Sequence, residues 1–279
     1  MGERILITGK NSYIGEKFES FITEYGYSVD TVDMIGKGWE NCDFSNYDTV
    51  VHVAAIVHKQ EKEYSNDEYF KVNCELAVDV AKKAKSSGVS QFVFISTMSV
   101  YGVVNGVITK DTALNPFNNY GKSKLEAERR ILELLDESFT VAVLRPPIVY
   151  GKGCKGNYVE LSKFAKKLPF FPDYKSCRSM IYIDNLTRFI KKVIDEKLSG
   201  IFCPQDESYV NTSQMVKAVA NANGKKIKLI KIFNPFITLA LKMRINIVCK
   251  VFGSLIYEKD LCPEYEKVDF ETAIKRTEE

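Results

Sequence analysis

The chain has little of what metal centres and disulfide frameworks are built from. Its 279 residues include two histidines. The seven cysteines, Cys42, Cys74, Cys154, Cys177, Cys203, Cys249 and Cys262, form no CxxC pair and no spacing with histidine that suits zinc. No metal is expected, and the thiols are read as reduced, as in a cytoplasmic protein. An excess of one charge is also missing. With 39 basic and 36 acidic residues interspersed, net +3, nucleic acid is excluded as the main partner, while a small anionic ligand is not.

Long apolar runs are absent too. The start, MGERILITG, has a charged opening and a short apolar run, which suits a first β-strand and not a signal peptide. The most apolar later segment, Ile232 to Phe252, is interrupted by Lys242, Arg244 and Lys250, so it falls short of the roughly 20 uninterrupted apolar residues of a membrane span. It is read as a packed or dimer-facing helix in preference to a helix lying on a membrane surface. Repeats and low-complexity linkers are lacking, and the length permits one large α/β unit or two modest domains.

What is present is an alternation. Short β-branched runs (RILITG, SVDTVD, TVVHVAA, QFVFIST, FTVAVLR) alternate with helical periodicities over Tyr13 to Tyr25, Asp67 to Ser87 and Asn119 to Asp136. That pattern predicts a doubly wound parallel (Rossmann) α/β sheet over residues 1–150. From about Pro146 the rhythm turns to loops rich in Gly, Pro and Lys, then helices over Asp184 to Glu196 and Thr212 to Asn223, the second capped by Asn211 or Thr212. Residues 151–279 are therefore expected to form a smaller substrate-binding region over the carboxyl ends of the strands, with late elements able to return to the main sheet.

TGKNSYIG, residues 8 to 15, follows a strand and opens a helix. Gly9 permits the tight turn, Gly15 permits close packing of helix on strand, and the free amides of the helix start suit a pyrophosphate. Ser12 replaces the middle glycine of the usual fingerprint and is small enough to donate to a phosphate. The next strand ends at Asp33, whose carboxylate can accept both hydroxyls of an adenosine ribose and repels a 2′-phosphate, favouring NAD. Lys10 and Lys37 pull toward NADP, which stays open.

ISTMSVYG, residues 95 to 102, ends the most apolar strand, so its hydroxyls lie at the carboxyl edge beside a bound cofactor. One helix later Tyr120 and Lys124 stand four apart on one face. The neighbouring ammonium is expected to lower the phenol's pKa from about 10 toward working pH, fitting it for proton exchange with a sugar hydroxyl or ketone. The rest of that helix start, LEAERR, is read as a solvated face.

Taken in this order, the motifs resemble the extended short-chain dehydrogenase/reductase enzymes of the NAD-dependent epimerase/dehydratase branch, over nearly the whole chain and most strongly from Ile5 to Asn185. The resemblance implies a catalytic set of Thr97, Tyr120 and Lys124. It implies a cofactor set of Gly9, Ser12, Tyr13, Ile14, Gly15, Asp33, Asp43, Phe44, Ala54, Ala55, Asn73 and Pro147 with Tyr120 and Lys124. Substrate is expected to meet Thr97, Ser99, Tyr120, Asn157 and Arg178, the last as a guanidinium on the diphosphate. Lys152 and Lys155 are read as solvated.

The resemblance also bears on the reaction. Dehydratases of this kind follow the threonine with an acidic pair, where this chain has Met98 and Ser99. Neither is an acid or base near neutral pH, so dehydration is disfavoured and decarboxylation weakened. What remains is 4-epimerisation of a nucleotide-diphosphate sugar, most simply a UDP-sugar, in surface-polysaccharide precursor synthesis, or NAD(P)H-dependent reduction of a 4-keto sugar. A non-catalytic sensor or scaffold is a third reading, disfavoured because threonine, tyrosine and lysine are all retained. Ile148 stands where the family has asparagine, and no second diphosphate-binding arginine is evident. Leu76, Val80, Ile131 and Leu135 on the two long helices point to a homodimer like that of relatives.

Overall fold

The computed structural model describes residues 3–57 and 65–279. Its strands are β1 Arg4–Thr8, β2 Ser28–Val32, β3 Thr49–His52, β4 Gln91–Ile95, β5 Gly106–Ile108, β6 Thr140–Leu144, β7 Ile148–Tyr150, β8 Phe170–Pro172, β9 Met180–Tyr182, β10 Gly200–Phe202, β11 Lys228–Ile230 and β12 Leu255–Tyr257. The helices are α1 Tyr13–Thr23, α2 Asn66–Phe70, α3 Leu76–Ser86, α4 Asn119–Leu132, α5 Asn157–Lys167, α6 Ile183–Asp195, α7 Thr212–Ala222, α8 Asn234–Lys242, α9 Asn246–Phe252 and α10 Phe270–Glu278.

The main sheet runs β10-β6-β4-β3-β1-β2 and every pairing in it is parallel. Its central strands carry continuous apolar runs because both faces are covered: Val51, Val93 and Leu144 belong to one core layer and Val50, Phe92 and Val143 to the other. The strand order reverses between β1 and β3, and their carboxyl ends part there to leave the crevice in which such sheets take ligands.

The expected doubly wound sheet is present, with differences at its edges. Late elements return to the main sheet, as the sequence allowed: β10 pairs with β6 and α6 packs on α1. The helix expected over 67–87 is interrupted by a π-helical turn, Lys71–Glu75, which turns Asn73 fully inward. The side chain of Asn211, and not that of Thr212, caps α7 by accepting from the Gln214 amide.

Three expectations about exposed and buried faces are corrected. In LEAERR, Leu125, Ala127 and Glu128 are buried, because that side of α4 lies against the sheet. Val80 and Ile131, read as dimer-facing, are consumed by this chain's own core, and of the four only Leu135 is exposed, with Leu76 half-buried. The segment read as packed or dimer-facing, Ile232 to Phe252, buries Ile237 and Cys249 and leaves most of its large apolar side chains in solvent, so it is not packed within this chain. No helix among the described residues is long and apolar enough to cross a membrane.

Candidate active site

The crevice begins at the turn after β1. The amides of Gly9 and Lys10 both donate to the Val32 carbonyl, tying this turn to the end of β2. Gly9 has φ 121°, and a Cβ there would sit 2.8 Å from the Ala54 amide nitrogen, so only glycine lets the turn approach β3 this closely. Ser12 caps α1, accepting from the Gly15 amide at 3.2 Å. The oxygen accepts in this cap, which leaves the hydroxyl proton for the expected donation to a phosphate. The cap also explains Gly15, whose Cβ would lie 2.5 Å from the Ser12 Oγ. As at any helix start, the amides of Tyr13 and Ile14 lack intrahelical acceptors and face forward with the positive end of the helix dipole.

Behind the loop lies a groove of about 190 Å³ bounded by Gly9, Lys10, Asn11, Gly15, Glu19 and Thr31. Asp33, exposed at the end of β2, accepts from the Ile35 amide through one carboxylate oxygen. Asp43 is more committed: it accepts from the amide and hydroxyl of Ser45 and from the Asn46 side chain, which holds its carboxyl below the usual range. Phe44 is fully buried and Ala54 nearly so, Ala55 is half-buried, and Pro147 is buried beside Arg145.

Two residues of the expected cofactor set are tied into the surrounding structure. Asn73 spends its amide on the Ile56 backbone, accepting from N–H at 2.7 Å and donating to C=O at 3.3 Å, and on the Ser123 hydroxyl at 3.3 Å. It therefore positions the segment after β3 against α4. The Tyr13 hydroxyl is buried without a hydrogen-bond partner among the described residues and lies where a Cβ on Gly151 would meet it at 2.7 Å. Its ring thus packs on the turn after β7.

The chemical end is assembled from β4 and α4. Thr97 caps the short 3-10 turn Met98–Tyr101, accepting from the Ser99 amide at 3.1 Å, and its hydroxyl donates to the Ser99 hydroxyl at 3.2 Å. The Met98 amide donates to the Pro146 carbonyl, and its side chain packs with Val100 and Leu125 in an apolar cluster. Asn118 caps α4 through the Gly121 amide at 2.7 Å, which fixes Tyr120 in the first turn. The Thr97 hydroxyl is near enough to the Tyr120 phenol to favour its ionised form.

Lys124, one turn further, is 1% exposed, and its ammonium lies 4.1 Å from the centre of the Phe94 ring with no hydrogen-bond partner among the described residues. The titration behaviour runs opposite to the expected one. Burial pushes the Tyr120 phenol up to about 12, against the Thr97 hydroxyl that opposes it. Burial likewise pulls Lys124 down to about 7, opposed by the Glu128 carboxylate. Desolvation outweighs the attraction expected between ammonium and phenolate, since both charged forms have lost water.

Three residues that the motifs did not single out support this pair. Glu128 and Arg145 form a buried ion pair, with Nη2 to Oε2 at 2.6 Å and side-chain exposures of 1% and 5%. Arg145 also donates to the Tyr101 hydroxyl at 2.9 Å, and Ser96 donates to Glu128. His52, fully buried, shares a 2.7 Å hydrogen bond with the Thr8 hydroxyl and stacks on Phe94 from β3. Burial, and then the Lys124 charge, hold its pKa down to about 3, so it is neutral. An i, i+4 step from Lys124 to Glu128 and an arginine at a strand end were the available sequence signals.

The outer residues are not joined to this cluster by any hydrogen bond among the described residues. Asn157 is exposed at the first position of α5. Arg178 is half-buried, its guanidinium donating to the Cys249 carbonyl at 2.5 Å, with no carboxylate paired to it among the described residues. Lys152 and Lys155 are exposed, as expected.

The family model for the NAD dependent epimerase/dehydratase family matches residues 5–202. The chain belongs to that family. It is 30% identical to a UDP-glucose 4-epimerase of Vibrio cholerae, over 94% of this chain and 84% of the relative. It is 25% identical to N-acetyl-alpha-D-glucosaminyl-diphospho-ditrans,octacis-undecaprenol 4-epimerase of Escherichia coli O157:H7, over 81% of this chain and 74% of the relative. Among solved structures it is similar to a dTDP-4-dehydrorhamnose reductase of Bacillus anthracis in complex with NADP, with a TM-score of 0.72, 19% identity and 99% of both chains covered. That likeness shows the shared fold, on which more than one reaction runs.

The chain is thus an enzyme of an NAD-dependent nucleotide-sugar family, and its crevice fits the cofactor. The close approach at Gly9, the forward amides of α1 and the unpartnered buried ammonium of Lys124 are each a provision for an anionic or hydroxyl-bearing group.

Proposed function

We propose that the chain is a nucleotide-sugar 4-epimerase acting on a UDP-hexose or UDP-N-acetylhexosamine. The observation that carries this reading is Lys124, buried without a hydrogen-bond partner among the described residues one turn beyond Tyr120, with Thr97 at the carboxyl edge of β4. The C4 hydroxyl of the sugar takes its place between the two hydroxyls, and NAD supplies the hydride acceptor and donor. The positive charges of Lys124 and of bound NAD would have to offset the burial that raises the Tyr120 phenol; once ionised, Tyr120 receives the C4 hydroxyl proton as the ketone forms and gives it back when the ketone is reduced on the other face. Thr97 holds the same oxygen throughout, and Lys124 holds charge beside the phenol and the cofactor. Met98, packed among apolar residues where a dehydratase has an acid, supports a reaction that stops at the ketone and returns.

The named activities of the two relatives support the same chemistry, since both are 4-epimerases of a sugar carried on a diphosphate. Asp33, with one oxygen free beyond its own turn, supports NAD over NADP, and Arg178 and Asn157 are assigned to the diphosphate and the sugar. A homodimer through α3, α4 and the turn after α4 belongs to this reading, resting on Leu76 of α3 and on Leu135 of that turn, and light scattering at graded concentration tests it. A place in surface-polysaccharide precursor synthesis belongs to it as well.

The test is to supply purified protein with UDP-sugars and follow C4 inversion. Interconversion of the epimers with no net consumption of NADH is the expected result. Stoichiometric oxidation of NADH or NADPH by a 4-keto sugar, without inversion, replaces the epimerase with a reductase. Tyr120→Phe removes one hydroxyl and little volume, so it should abolish turnover while NAD still binds; retention of the original rate defeats the assigned role.

A further inference from the structure

The segment from Lys225 to Tyr257 contains seven basic residues and no aspartate or glutamate. Within it, α8 has its apolar stripe turned the wrong way for a packed helix. Phe236, Leu239 and Met243, at spacings that share one helical face, are 71%, 56% and 66% exposed, and Ile232 in the preceding turn is 73% exposed. The tight turn after α8 has Arg244 at φ 55°, and beyond it Ile245 and Ile247 are again exposed. Phe233 stacks on the exposed Phe170, extending the apolar surface onto β8. Lys226, Lys228, Lys242, Arg244 and Lys250 rim it, all exposed. One neighbouring carboxylate, Asp173, meets the remaining rim cation Lys231 at 3.9 Å.

We infer that this surface docks the protein on an anionic membrane. Isolated exposed apolar residues are ordinary, but a contiguous apolar strip with a cationic rim has the composition of a helix that lies in the headgroup region. The charge selects the occupant. A second copy related by a two-fold axis would bring six rim cations against six, whereas anionic headgroups neutralise them. At nine residues α8 is far too short to span a bilayer, so it rests on it. The docking surface is one hydrogen bond from Arg178, through the Cys249 carbonyl of α9, so the membrane lies beside the region assigned to the diphosphate. The inference does not depend on which sugar reaction the site performs.

Co-sedimentation of the full chain with vesicles of phosphatidylcholine, and of equimolar phosphatidylcholine and phosphatidylglycerol, tests it. Wild type should pellet with the anionic vesicles and be released by high salt. Each cation near such a surface is worth about fivefold in partitioning, so Lys242→Glu with Arg244→Glu should weaken binding by at least about 25-fold. Phe236→Asp with Leu239→Asp should abolish it by removing the inserted apolar contacts, while circular dichroism and UDP-sugar turnover stay as in wild type. Wild type left in the supernatant, or equal pelleting of wild type and both double variants, overturns the inference. So does a concentration-dependent dimer abolished by the Phe236 and Leu239 changes without vesicle binding, which would identify a second copy as the occupant.

Discussion

Replacing Lys124 by methionine should make the cofactor-free protein more stable near neutral pH while leaving it inactive. Burial holds an ammonium that ordinarily titrates at 10.5 down to about 7. At about 1.4 kcal/mol for each tenfold change in protonation equilibrium, carrying that charge costs the folded state roughly 4–5 kcal/mol at pH values below 7. Methionine has similar length, and its thioether packs favourably on the Phe94 ring, so about 1–4 kcal/mol should be recovered. The pH dependence carries the sign. Between 7 and 10.5 the unfolded chain holds the Lys124 proton and the folded chain does not, so wild-type stability climbs with rising pH through that window. Lys124→Met lacks this climb, and its advantage should shrink between about pH 6 and about pH 9. Urea unfolding followed by fluorescence of Trp39, the single and buried tryptophan, measures both. A variant less stable than wild type at the lower pH, or a gap that does not change with pH, would refute the unpaired buried charge.

Glu128→Gln should cost about 3–5 kcal/mol, because it leaves the Arg145 guanidinium buried without its carboxylate; in the same urea assay Glu128→Gln with Arg145→Met should recover much of this, and simple additivity would reject the coupling. Gly15→Ala should destabilise by collision with the Ser12 Oγ, and in combination with Ser12→Ala the cost should fall to the missing cap, about 1 kcal/mol, plus the tight contacts of the new methyl with Val53 and Ile7; a double variant no better than Gly15→Ala alone contradicts the clash. The His52 ring should stay neutral in the native protein down to about 3, whereas the unfolded chain takes up its proton near 6.5. Stability should therefore fall as pH drops from 6.5 toward 3. An NMR titration of the His52 ring protons in native protein that inflects near 6.5 would count against this.

Local periodicity carried five of the six strands of the main sheet, the central ones buried on both faces, and the helices that cover them, and it missed the short edge strand β10. It did not carry the π-helical turn at Lys71–Glu75, which is set by the need to bring Asn73 to Ile56 and Ser123. Glu128 was misread for a related reason. In LEAERR the charge count suggests solvent, but its one buried carboxylate is matched by Arg145, seventeen residues away on another element. The exposed stripe of α8 was legible as a helical face but not as a free one, because apolar spacing says nothing about what covers it.

The sequence by itself determined the parallel sheet, the glycine turn at its switch point and the ordered set Thr97, Tyr120 and Lys124, because these follow from backbone sterics, burial periodicity and spacing along single elements. Only the tertiary structure decided the protonation balance of that set. Desolvation depends on how many atoms from other elements close around Tyr120 and Lys124, and it reversed the direction that the four-residue spacing implied.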